Sequence, residues 1–169
     1  MDKLDREFYL QDTLTIARDL LGKYLVHETS KFKVIGRIIE TEAYIGPEDK
    51  GSHSYGGKRT KRNEVMYWIG GTSYVYIIYG MYYCFNVVTE QENKPSAVLI
   101  RAVEPILGQS VMSRLRYNLE YSKLSPQQKI NLTKGPGKLC TAMGISKLEN
   151  GVDLCGDKLY ICSEPSDSF

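Results

Sequence analysis

The chain of 169 residues has no apolar run approaching the roughly 20 residues of a membrane-spanning helix, which excludes that architecture. It has no internal repeat, no Pro-rich linker and no low-complexity tract, so a single domain over residues 1–169 is expected. Cysteine is sparse. Cys84, Cys140, Cys155 and Cys162 are widely spaced, form no Cys-x-x-Cys pair, and sit in a chain too large to need disulfide staples, so they read as reduced, packed thiols. With only His27 and His53 besides, no metal site with regular ligand spacing is expected, and no cofactor. The opening MDKLDREFYL carries Asp2, Asp5 and Glu7 with no apolar segment behind it, so no secretory signal and a cytoplasmic location are expected. Charge of one sign is also lacking: 22 basic against 20 acidic residues leave +2, which does not announce a nucleic-acid partner. Tyrosine is what the chain has in excess. Thirteen Tyr against four Phe and one Trp make an aromatic surface that stacks and still meets water.

The hydrophobic pattern predicts a helix from an N-cap at Asp12 to a stop at Gly22, with Leu14, Ile16, Ala17, Leu20 and Leu21 apolar. Residues 23–29 and 32–45 read as a strand hairpin turning at Ser30 and Lys31. Residues 73–78 and 82–88 read as a second hairpin around Tyr79, Gly80 and Met81, and a strand follows at 96–103. Beyond Pro105 the period becomes helical, with Val111, Met112, Leu115 and Leu119 on one face, a helix start at Ser125-Pro126, and a short helix after Gly135-Pro136-Gly137. The segment KLYICS reads as a last strand. Strands first, helices later and hairpin connections predict an α+β fold, a mixed domain with packed helices on a central antiparallel, curved β-sheet.

Cut into blocks, the charge is not neutral. Residues 50–62 carry Lys50, Lys58, Arg59, Lys61 and Arg62 with no acid, a block of +5, and residues 111–138 carry six bases against Glu120, also +5. The remainder sums to −8. Local cation density of this kind suits a phosphate backbone, and a solvated loop and a solvated helix face are the alternative. Lys58, Arg59, Thr60 and Arg62 of the first block, with Gly135 and Lys138 of the second, are the residues expected at a nucleic-acid backbone. In KGPGKLC, backbone N–H groups at a helix start beside Lys134 and Lys138 form a candidate anion site, although an ordinary loop-to-helix junction has the same sequence.

In RIIETEAY, strand alternation places Glu40, Glu42 and Tyr44 on one face and Ile39, Thr41 and Ala43 on the other. Paired carboxylates running into the Gly-rich, basic GPEDKGSHSYGGKRTKR suit a water-activating site facing a phosphate-bearing substrate; solvated edge carboxylates are the alternative. Tyr74, Tyr76, Tyr79, Tyr82 and Tyr83 crowd the second hairpin, more hydroxyls than a buried core accommodates. A stacking platform with Tyr79 projecting from the tip fits proteins that open a base stack, whereas packing against the sheet accounts for Tyr82 or Tyr83. Asn86 and Arg101, each among apolar residues, need partners, since an unpaired buried polar group costs about 2–7 kcal/mol. They line a polar pocket, or Arg101 pairs structurally with Glu104 or Glu40.

In order and spacing, RIIETEAYIGPEDKGSHSYGG, GTSYVYIIYGMYYCFNVV, AVLIRAVEP and GPGKLC closely resemble the alkyladenine (3-methyladenine) DNA glycosylase family of base-excision repair, over residues 10–160. The resemblance implies that Glu42 is the catalytic carboxylate that activates water, and that Tyr44, His53 and Tyr76 sandwich and contact a flipped-out base. It makes Tyr79 the wedge that fills the gap in the duplex and Asn86 the residue opposing the 2-amino group of guanine. It gives Arg101 the task of holding the carboxylate and the substrate backbone. Members of the family continue with an Arg-Ile-Gly-like motif where this chain stops at Phe169, which bears on one wall of the core and on the DNA face but not on the catalytic strand.

The implied partner is double-stranded DNA containing damaged purines, with no membrane, no metal and a monomeric protein, associated with the nucleoid in a bacterium. Ionised Glu42 would orient water and offset the charge of an oxocarbenium-like sugar, and no lysine in these motifs supports a Schiff base, so a monofunctional enzyme acting on alkylated or deaminated purines is expected. A non-catalytic single-strand-binding module and a small-molecule nucleosidase are the rivals. The first gives Glu42 no task and the second leaves Tyr79 and both basic blocks idle.

Overall fold

The structure is a computed structural model and describes residues 2–164. Two short helices open the chain, α1 (Arg6–Tyr9) and α2 (Thr13–Asp19). Each starts at an aspartate whose carboxylate accepts a first-turn N–H, Asp5 from Phe8 and Asp12 from Thr15, satisfying donors that a helix leaves unpaired. The Asp12 start and the stop just before Gly22, at φ +83°, agree with the sequence pattern, while α1 lies outside it.

The strands then follow as two hairpins and a long single strand: β1 (Tyr24–Glu28) with β2 (Lys33–Tyr44), β3 (Ser73–Ile78) with β4 (Tyr82–Thr89), and β5 (Ser96–Leu107). Helices α3 (Gln109–Tyr117), α4 (Pro126–Ile130) and α5 (Pro136–Met143) come next, and β6 (Leu159–Cys162) is the last strand. Among the described residues the six strands form one curled sheet in the order β3-β4-β5-β2-β1-β6, with every neighbouring pair antiparallel. This is the α+β class expected from the order of elements. No helix among the described residues is long and apolar enough to cross a membrane.

Two expected element boundaries need correction. The apolar face drawn through Leu119 is too long: α3 ends at Tyr117 because Asn118 takes the left-handed conformation, and only Met112 of that set is fully buried, with Leu115 and Leu119 exposed. Conversely, β5 continues past residue 103 and through Pro105 to Leu107. Proline lacks a donor N–H and is tolerated where a strand has an open edge or a bulge. Both conditions hold, because β4 pairs with β5 only over Ser96–Leu99 and the β2 register shifts next to the Gly36–Pro105 pair.

The shifts between β2 and β5 continue toward the middle of the strands. Ile38 pairs with Val103, Glu40 with Ala102 and Thr41 with Ile100, so Ile39 on β2 and Arg101 on β5 are each the extra residue of a bulge. An extra residue reverses which side chains face which side. On β2 the core-facing set is Val34 and Ile38 before the bulge and Ala43 after it; on β5 it is Val98 and Ile100 before and Val103 after. The two reversals offset each other, so both strands keep their apolar side on the same core of α2, α3 and α5 residues, including Ile16, Met112 and Leu139. Glu40, Glu42 and Tyr44 therefore share the other face, as the alternation predicts. Ile39 does not join Thr41 and Ala43; as the bulge residue it is 51 % exposed.

Close approach of β2 and β5 requires glycine at position 36, where an added Cβ would lie 2.5 Å from Val103 Cγ2. Gly36→Ala is expected to lower stability by about 1–3 kcal/mol through overpacking, measured as a lower urea midpoint. Adding Val103→Ala should recover part of the loss, and an unchanged midpoint for Gly36→Ala would show that the strands are not pressed together there.

Candidate active site

Arg101 stands between two carboxylates. Its Nε donates to Glu40 Oε1 at 2.9 Å and its Nη1 to Glu42 Oε2 at 2.7 Å. The other oxygen of Glu42, Oε1, accepts the Tyr44 hydroxyl at 2.6 Å. Glu104, the other partner open to Arg101 on sequence grounds, is taken instead by Arg37. The hydrogen bond to Glu40 raises the Arg101 pKa most, burial opposes it, and the charges of Glu42 and Glu40 add to the rise, so the guanidinium is a permanent cation. The cluster is half-exposed, which leaves Glu42 within reach of water while both of its oxygens are oriented.

Tyr44 links this cluster to a cavity of about 230 Å³ between β2, β3, β4 and the loop after β2. Tyr44, His53 and Tyr76, the three residues implied to contact a base, all line it, with Asn86 among the other lining groups. The His53 and Tyr76 rings meet edge to face with centroids 4.4 Å apart. Burial, and then the hydrogen bond to Glu42, push the Tyr44 phenol up to about 12, so it stays a neutral donor. His53 moves the other way. Burial and the nearby Arg62 charge lower its pKa from 6.5, which favours the neutral imidazole.

Sequence reasoning gave no site role to Tyr74 or Met66. The Tyr74 hydroxyl shares a 2.9 Å hydrogen bond with His53 Nδ1, and the Tyr74 carbonyl accepts Asn86 Nδ2 at 3.2 Å, so this buried residue fixes two pocket groups at once. Its position two residues before Tyr76 on one strand was the available signal. Met66 comes from a turn at Glu64–Tyr67 that packs under Tyr74 and carries no recognisable motif.

At the end of the hairpin, Met81 N–H closes on the Ile78 carbonyl, and Tyr79 and Gly80 both have positive φ, +53° and +69°. That is the arrangement of a type I′ turn, whose twist matches the strands it joins. Tyr79 is 86 % exposed. It borders a second cavity of about 400 Å³, which adjoins the first at Ile78 and carries Arg116, Lys134 and Lys138 on its far wall. The two basic blocks thus meet the hairpin from different sides.

The residues expected at a DNA backbone differ in how free they are. Lys58 and Lys138 are exposed. Arg62 donates to the Ile77 carbonyl and lies over the Tyr76 ring, 5.6 Å from its centroid. Arg59, though exposed, is engaged by the protein's own groups, paired with Glu64, bonded to Asn93 and set over Tyr67, while the Thr60 hydroxyl donates to Asn63. The anion site read at Gly135-Pro136-Gly137 loses two of its supposed donors: Gly135 N–H is given to the Arg101 carbonyl at 3.0 Å, and Pro136 has none. That bond ties the loop to the open edge of β5, next to Arg101 itself.

The model of the methylpurine-DNA glycosylase (MPG) family matches residues 7–168. A protein of Desulfitobacterium hafniense (strain Y51) is 58 % identical over 169 residues, covering 100 % of this chain and 83 % of that protein. One of Clostridium acetobutylicum is 53 % identical over 167 residues, covering 99 % of this chain and 82 % of that protein, and one of Alkaliphilus oremlandii (strain OhILAs) is 50 % identical over 167 residues, with 99 % and 83 % covered. All three carry the name "Putative 3-methyladenine DNA glycosylase". These matches bear out the resemblance drawn from the motifs: this chain is an enzyme of the methylpurine-DNA glycosylase family, which hydrolyses N-glycosyl bonds.

Proposed function

We propose that this protein is a monofunctional glycosylase that turns an alkylated or deaminated purine out of duplex DNA into the Tyr44–His53–Tyr76 cavity and hydrolyses its N-glycosidic bond with water oriented by Glu42. The observation that carries this reading is the Glu42 carboxylate, held by Arg101 and Tyr44 at the edge of an aromatic cavity of about 230 Å³. Water attacks the sugar carbon as the bond to the base nitrogen breaks. The bonding pair leaves with the base, and the water proton passes to Glu42 and on to solvent. The negative charge of Glu42 also offsets the positive charge that develops on the sugar, a service that needs no prior proton transfer.

A ring-alkylated purine carries a positive charge, so it leaves as a neutral base and stacks on the tyrosine faces with roughly 0.5–2 kcal/mol of cation–π attraction. A neutral lesion such as hypoxanthine instead requires a proton delivered to the leaving base. Asn86, buried at the cavity wall, limits the space for a 2-amino group and so acts against guanine. Tyr79 fills the place of the extruded base, with Lys58, Arg62 and Lys138 on the phosphates and Arg101 supporting Glu42. The protein works as a monomer on cytoplasmic, nucleoid-associated DNA and leaves an abasic site.

Glu42→Gln is expected to slow single-turnover base release by about 10²–10⁴-fold while lesion-duplex binding stays near the wild-type value; unchanged excision removes Glu42 from the mechanism. Tyr79→Ala is expected to weaken lesion-duplex binding by about 1–3 kcal/mol, the worth of one aromatic–base stack. Wild-type occupancy of the flipped state in that variant, followed with a fluorescent base analogue, counts against the wedge. The imidazole of His53 should titrate below pH 6.5 by NMR, and Arg62→Ala should move its midpoint up by removing the nearby positive charge. Because the folded-state pKa is the lower one, stability from this group is present above pH 6.5 and is lost as pH falls through the folded value. A midpoint above 6.5 contradicts the burial argument.

A further inference from the structure

The β3–β4 hairpin has two faces, and the cavities already described occupy only one. On the opposite face Val75 and Ile77 of β3 and Tyr83 of β4 floor a groove of about 470 Å³ whose walls carry Lys61, Arg62, Lys147 and Asn150, and which meets the base cavity at Tyr76 on the strand edge. No acidic side chain lines it. None of the three cations has an ion-pair partner among the described residues, although Arg59 in the same loop is paired with Glu64. Lys147 lies in neither basic block of the sequence; the fold brings it there.

Both walls are stitched to the outer edge of β3. Asn150 Oδ1 accepts Val75 N–H at 2.9 Å, Gly151 N–H donates to the Ser73 carbonyl and Ser73 N–H to the Val152 carbonyl, both at 2.8 Å. On the other wall Arg62 Nη2 donates to the Ile77 carbonyl at 3.0 Å. The segments that carry the cations are therefore bonded to the strand that leads to Tyr79. Like charges gathered around one groove repel each other, and an anion relieves that repulsion.

We propose that this rear groove binds the phosphodiester backbone of the strand opposite the damaged one. The inference rests on the wedge reading of Tyr79. A protruding tip that enters a DNA groove has one backbone on each side of it. The damaged nucleotide enters a cavity on the front face, so its strand follows that face, past Arg116, Lys134 and Lys138. The rear face is left for the complementary strand, and its three unpaired cations meet those phosphates.

The test is a Lys61→Ala/Lys147→Ala double variant, both positions being exposed and outside the base cavity. For a lesion-bearing duplex the slope of log K against log salt should become shallower by about 1.8, two phosphate contacts at about 0.9 each. Affinity for the same lesion in a single strand should be unchanged, as should single-turnover base release from saturating duplex, and Lys61→Glu/Lys147→Glu should enlarge the duplex-specific loss. Lys138→Ala should weaken binding to duplex and single strand alike. An unchanged duplex slope in the double variant overturns the proposal, and so does an equal loss on the single strand, which would put the groove on the damaged strand. Tyr79→Ala separates the two ideas: undiminished duplex binding in that variant refutes the wedge, whereas weakened binding there with an unchanged slope in the lysine variant refutes only the groove.

Discussion

The fork of Arg101 is the contact on which the site depends. Two carboxylates two residues apart on one strand face repel each other, and left alone each would turn toward solvent by its own route. One guanidinium satisfies both, Glu40 at Nε and Glu42 at Nη1, and a planar fork fixes direction as well as charge. Lysine in its place would supply the charge without the geometry. The backbone of the same residue extends the arrangement, because its carbonyl accepts Gly135 N–H and so fastens the basic loop before α5 beside the carboxylates. Arg101 reaches all of these partners because it is the bulge residue of β5, opposite the Ile39 bulge of β2.

Around this fork the tyrosine excess resolves into a polar accounting. A buried phenol needs a partner for its hydroxyl, and three tyrosines in and beside the cavity find theirs in a carboxylate, an imidazole and a loop carbonyl. Tyr44 orients Glu42, Tyr74 orients His53, and Tyr67 holds the Lys58 carbonyl and with it the start of the basic loop. Burial also pushes the phenols of Tyr44, Tyr74 and Tyr76 upward, which keeps them neutral. Phenylalanine would give the same stacking surface and lose the orientation of the carboxylate and the imidazole.

Much of this was legible in the sequence, for identifiable reasons. Both hairpins, the Asp12 cap and the Ser125-Pro126 start follow from patterns local to a few residues, and local patterns survive folding. The shared face of Glu40, Glu42 and Tyr44 was correct because the Ile39 bulge precedes all three. The bulge itself was not legible, since it exists only in the pairing of β2 with β5, and neither strand alone announces it. The same holds for Pro105, tolerated in β5 because β4 ends its pairing earlier. Charge blocks marked Lys58 and Lys138, both exposed, but they also took in Arg59 without its ion-pair partner Glu64, two residues past the block, and did not include Lys147, which long-range pairing brings beside β3.

The turn at the hairpin tip shows most directly a position that folding alone does not account for. A type I′ turn asks for left-handed backbone at both central residues, a demand that Asn-Gly or Gly-Gly meets at little cost. Position 80 has the glycine, but position 79 has tyrosine at φ +53°, a conformation that costs a bulky side chain roughly 1–2 kcal/mol. Packing of the ring does not offset that strain, because the ring is almost wholly in solvent. The strain persists because β3 is anchored along its outer edge by Val152, Asn150 and Arg62, the last of them only two residues before the turn. A residue that strains its own turn, gains no burial and stands on a braced hairpin has no explanation in the packing of the fold. The side chain it presents is a flat aromatic that can replace a base in a stack.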